Sequence, residues 1–214
     1  MKLDQRLNFV IPIYSTVLTK DDKGAEQEIE QVVGYVHSVP ILNETFERYF
    51  LTISKTFAAI YGEGLGYMAA PRVTSILLKR AAQSINDWEG PEGVESGLIG
   101  EISRLSSYLS PGPSGWVSVP LETAIARKSL SDDDVAEVTN AVAFFIVNSA
   151  MQRRTDLKVT LAGAARLWGA RVTSLSCTEF LASLKTPTTP ASTGETGPLV
   201  EGPTQEVPAF QIPH

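Results

Sequence analysis

Hydrophobic and polar positions along this chain follow two periods in turn. Over Leu7–Leu18, Phe9, Ile11 and Ile13 alternate with Asn8, Val10 and Pro12, and Val17 and Leu18 follow, the two-residue period of a strand. Pro12 has no N–H to give a ladder, so the strand lies at an edge or bends. Thr19-Lys-Asp-Asp-Lys-Gly24 is a turn-forming polar cluster. Glu28–Val39 reads as a second strand through Ile29, Val32, Val33, Tyr35, Val36 and Val39. The pair predicts a β-hairpin or small sheet at the N-terminus.

From Asn43, a candidate N-cap, the period becomes 3.6. Phe46, Tyr49, Phe50, Ile53, Phe57, Ile60 and Tyr61 recur at helical spacing, and this aromatic stripe is expected to be the main core face. Gly62, Gly64 and Gly66 end the helix. A second helix is expected from Pro71 to Trp88, and a third from Val94 to Leu109. Ser110-Pro-Gly-Pro-Ser-Gly115 reads as a loop, and Pro120 opens a short helix.

Ser131-Asp-Asp-Asp134 combines a capping hydroxyl with three carboxylates at the positive end of a helix dipole. The helix it starts is apolar on all sides around Ala141–Val147, which predicts the central helix of a bundle. Arg153 and Arg154 are expected to close it. A further helix follows from Thr155, and Ser176 with Glu179 forms a capping box for a last short one. No internal repeat is present.

Composition breaks at Lys185. Thr186–His214 holds six prolines, six threonines and three glycines, and no Lys or Arg. Such a segment buries too little apolar surface to offset the entropy of ordering it. The expected organisation is a β element over 1–42, a helical domain over 43–185 and a disordered Pro/Thr-rich tail over 186–214. The fold class is mainly α (α+β): an N-terminal β-hairpin or small sheet, then a multi-helix bundle.

The net charge is −6, and the tail takes Glu195, Glu201 and Glu206 of it unopposed. Without them the body is nearly balanced and lacks the clustered Lys and Arg of a nucleic-acid-binding face. The single cysteine, Cys177, permits no internal disulfide, which fits a reducing compartment. The first residues have no signal-peptide core, and the longest apolar run, Ala141–Val147, falls far short of the roughly 20 residues that span a bilayer. These features point to a cytoplasmic protein with no membrane partner.

Candidate chemistry is sparse. His37 is read as a solvent-facing strand histidine, and Ser38 beside it points to the opposite face, so the two make no catalytic pair. Two histidines and one cysteine without ligand spacing make no metal site. Gly62-Glu-Gly-Leu-Gly66 follows a helix rather than a strand and has the wrong spacing for a dinucleotide loop. Cys177 reads as a small apolar residue. No catalytic residue, cofactor or metal is expected. The candidate binding residues are Trp116, after the Pro/Gly loop, and Phe210 and Ile212, at the apolar end of the tail.

His37-Ser-Val-Pro-Ile41, Phe46-Glu-Arg-Tyr-Phe-Leu51 and Ser54-Lys-Thr-Phe-Ala-Ala-Ile-Tyr-Gly-Glu-Gly-Leu-Gly66, with Leu167-Trp-Gly-Ala170 and Ser174–Leu184, resemble small proteins of the tail-gene region of tailed phages and prophages. The best match in role is the tail assembly chaperones. That resemblance implies a largely helical, non-enzymatic protein of the host cytoplasm. It implies binding to the tape measure protein, which it keeps soluble while tail-tube subunits polymerise. A structural virion component, a tail or head–tail connector subunit, is the alternative. The shared motifs are packing motifs, so no functional residue transfers.

Overall fold

The computed structural model describes residues 7–20 and 26–184. The 186–214 tail, with Phe210 and Ile212, lies outside them.

The first two strands form where the two-residue period predicts them. β1 (Asn8–Lys20) and β2 (Glu26–Ser38) pair antiparallel, with an irregularity in register at Ile13/Tyr14 that leaves Val33 unmatched. The helices begin with α1 (Asn43–Arg48) and α2 (Phe50–Gly62), one periodic stretch broken at Tyr49. α3 (Gly66–Gln83) starts earlier than Pro71, which sits inside it and forfeits one backbone bond there. Between α2 and α3, Gly64 takes φ 69, the left-handed turn for which glycine is suited.

The expected helix over Val94–Leu109 is half correct. A π-turn (Val94–Leu98) runs into α4 (Ile99–Arg104), but the chain then becomes strand. β3 (Ser106–Gly112) and β4 (Gly115–Pro120) form a hairpin whose tip is Pro113-Ser114, so the expected Pro/Gly loop is mostly ladder. Tyr108 and Leu109 are both buried because the two faces of β3 are both covered. Two consecutive apolar residues mimic a helical face in sequence.

After α5 (Leu121–Ala126) comes α6 (Asp132–Met151), with the expected cap: Ser131 Oγ accepts from the Asp134 N–H at 3.1 Å. Every residue from Ala141 to Asn148 is buried, so α6 is the central helix. Arg153 and Arg154 do not close it. They begin α7 (Arg154–Trp168), which ends on Gly169 at φ 61. β5 (Arg171–Thr173) follows, then α8 (Cys177–Ser183), capped by Ser176 and Glu179 as expected.

The described strands make one five-stranded antiparallel sheet in the order β4-β3-β2-β1-β5. This overturns the helical bundle with a β element confined to its start. Strands from the beginning, the middle and the end of the chain share one layer, on both sides of the boundary expected at residue 42. The fold is α+β.

The sheet has two unequal faces. On one, Phe9, Ile11, Ile13, Val36 and Tyr108 join the large core formed with the helices, where Phe9 stacks on Phe145 of α6 at 5.5 Å. On the other, Val10, Leu109 and Phe180 of α8 form a small second core, flanked by Tyr35, Trp116 and Cys177. Gly34 lets β3 cross β2 closely, since a Cβ there would stand 2.7 Å from the Tyr108 ring.

Candidate functional site

His37, Ser38 and Asn8 are buried and held in hydrogen bonds. His37 is 1% exposed, not solvent-facing, because α8 and the Leu175 segment cover it. Its Nε2 donates to the Leu175 carbonyl at 3.0 Å, and Asn8 Nδ2 donates to the same oxygen at 2.8 Å. Burial holds the imidazole pKa below its ordinary value, against the raising effect of that hydrogen bond. Ser38 turns away to Ser106, the hydroxyls meeting at 3.1 Å, and Ser106 donates to the Ile102 carbonyl at 2.9 Å. Cys177 is half-buried with Ser118 Oγ 3.5 Å from its sulfur. Among the described residues no group of three or more His, Cys, Asp or Glu is placed to hold a metal, and no helix is long and apolar enough to cross a membrane.

Trp116 is half-buried on β4. Its ring tilts against Tyr35 at 5.5 Å, at the rim of the second core.

The aromatic stripe is divided between core and surface: Tyr49, Ile53 and Ile60 are buried in the main core, Phe46 and Phe57 pack against it half-buried, and Phe50 and Tyr61 are exposed. α2 meets α3 and α6 through Thr52, Ile53, Thr56 and Ile60, all buried. Thr56 Oγ1 donates to the Thr52 carbonyl at 2.8 Å, which satisfies a buried hydroxyl locally. Thr52 and Thr56 share the inner side with Ile53 and Ile60, and the rings of Phe50 and Tyr61 turn outward. Phe50 is 51% exposed; Leu42, Leu51 and Tyr61 are exposed too. Phe46 and Phe57 are half-buried at the base of the same surface. The rings meet in pairs, Phe46 with Phe50 at 5.6 Å and Phe57 with Tyr61 at 4.7 Å. Tyr61 is pinned at its tip. Its hydroxyl donates to Asn148 Oδ1 at 2.6 Å and accepts from Gln152 Nε2 at 3.0 Å, which fixes this face against α6. Phe50, Leu51 and Tyr61, with Leu42 ahead of α1, thus leave apolar surface of these two helices exposed to solvent.

A second feature projects from the sheet. β5 pairs with β1 only over Asn8–Val10, and β3 with β2 only over Tyr35–Ser38. Beyond these, Tyr14–Lys20 and Glu26–Val32 pair, among the described residues, only with each other, as a two-stranded arm. At its root lies a cleft of about 440 Å³ lined by Tyr14, Glu30, Asp134, Glu137, Trp168 and Gly169, among others. Sequence reading found both strands of the arm but missed its exposure. The signal was available: Glu26-Gln-Glu-Ile-Glu-Gln31 offers Ile29 alone as an apolar position, as on a strand without cover on either face.

No family model matches this chain, and neither does any curated protein or solved structure.

Proposed function

We propose that this is a non-enzymatic binding protein, a tail assembly chaperone that holds the phage tape measure protein during tail morphogenesis. The observation that carries the reading is the exposed apolar side chains of Leu42, Phe50, Leu51 and Tyr61 on and beside α1 and α2, with half-buried Phe46 and Phe57 against Phe50 and Tyr61. A chaperone of an extended, aggregation-prone chain needs such a surface, and needs it rigid so that little ordering entropy opposes binding. The tape measure protein as the client rests on the sequence resemblance.

The test is co-expression with the tape measure protein of the same phage. The intact chain is expected to co-purify with it and keep it soluble. Leu42→Ser with Phe50→Ser replaces two exposed side chains and should reduce recovery about ten-fold, roughly 1.4 kcal/mol, with little change in melting temperature. A soluble tape measure protein in the absence of this chain would sink the reading. So would stoichiometric presence of the chain in purified particles, which favours a structural virion subunit.

A further inference from the structure

The projecting arm concerns a different surface from the one above. Its distal strands have no neighbour on either edge among the described residues. An isolated two-stranded ribbon is marginal in water, and its open edges are templates for a further strand. The arm also carries apolar side chains with nothing over them. Val17 stands directly opposite Ile29, so both project to one side, and both are exposed. Leu18, on the other side, is 65% exposed.

Charge says what fits. Glu26 stands opposite Lys20, which is also the diagonal neighbour of Glu28, but Glu30 stands opposite Thr16 with Leu18 and Tyr14 as its diagonal neighbours and so has no basic cross-strand partner. Glu30 then joins Asp134 and Glu137 in the cleft at the root, whose described lining contains no Lys or Arg. Asp134 is engaged by the Ser131 hydroxyl at 2.6 Å, whereas Glu30 and Glu137 are exposed. The cleft lies where β5 leaves β1: Val10 pairs with Arg171, and the chain turns away at Gly169, beside Pro12 and Tyr14. An incoming strand would therefore continue the line of β5 along Tyr14–Leu18.

We infer that the arm and the cleft at its root form a docking surface for an extended, Lys/Arg-bearing segment of another protein. The segment adds as a strand to the free edge of β1, sets an apolar side chain beside Val17, which itself rests on Ile29 of β2, and reaches Glu30 and Glu137 with a long cationic side chain. A second copy of this chain is a poorer occupant, because pairing through β2 would bring the glutamates of two arms side by side, and like charges in register destabilise a ladder.

The probe is a fluorescein-labelled synthetic peptide of about twelve residues, alternating Lys with Val and Thr, long enough to cover the arm. Titrated with the full chain, it should bind and weaken as salt rises. Glu28→Lys with Glu30→Lys should weaken it at least about ten-fold. Val17→Thr with Ile29→Thr keeps β-branched side chains, and so the strands, while removing apolar contact; it should weaken binding as well. Glu89→Lys with Glu95→Lys, remote from the arm, should leave it unchanged. Equal loss in that remote pair would show attraction to net charge alone and overturn the inference. So would no binding by the intact chain, or a dimer in sedimentation that the Val17/Ile29 variant dissolves.

Discussion

A single imidazole shows how position decides character. His37 alternates with Val36 and Ser38 on β2, and by pattern alone it faces water. The seven residues of α8, far along the chain, put it under Phe180, whose ring lies 6.1 Å away. Its Nε2–H is committed to Leu175, so a second proton must go on Nδ1, in a site where burial disfavours the charge. The folded protein then binds that proton more weakly than the unfolded chain does. The linked stability is fully present above the ordinary histidine value of 6.5 and is lost as pH falls through the lowered folded value. Urea unfolding followed from pH 7.5 to about 5 should show this loss. His37→Gln, which retains an N–H for the Leu175 carbonyl, should flatten the slope. An unchanged slope in that variant would assign the dependence to other groups.

At the scale of elements, capping chemistry was the most legible part of the sequence. Ser131 and Ser176 start helices where their side-chain pattern places them, because a cap is a local arrangement of four residues. Ser131→Ala should therefore cost about 1 kcal/mol in urea unfolding, and a loss below a few tenths would show that α6 is held by packing alone. β3 was not legible. Ser106-Ser-Tyr-Leu-Ser has no two-residue alternation because both its faces are covered, and which faces are covered depends on α8 and on β2. The aromatic stripe of α2 was legible in part: Tyr49, Ile53 and Ile60 lie in the core as their period implies, whereas buried Thr52 and Thr56 share the inner face and leave Phe50 and Tyr61 exposed. The candidate site was legible only in part. The arm's strands were readable, but their exposure follows from how short β5 and β3 are, a tertiary fact.

The whole molecule is asymmetric about its sheet. One face is covered by several helices, the other chiefly by α8, a helix of seven residues. Phe180 is the one fully buried side chain that α8 contributes. Phe180→Ala should cost about 3 kcal/mol, measured by urea unfolding, and should increase binding of a hydrophobic dye as Val10 and Leu109 lose cover. A cost under about 1 kcal/mol would show that the remaining contacts suffice. The apolar surface of α1 and α2 and the acidic arm are separate features of this body, so a partner can engage either without unfolding the other.

The pairing of the first strand with the last has a consequence for synthesis. Asn8 donates to the carbonyl of Leu175, 167 residues further on. Loop closure over that span is slow, and contacts of high sequence separation form late. On the ribosome, β1 and β2 emerge first, yet the outer edge of β1 stays open until Arg171–Thr173 has left the tunnel. Until then the nascent chain carries an unfinished sheet, and the edge of β1 over Asn8–Val10 closes only when Arg171–Thr173 is free to reach it.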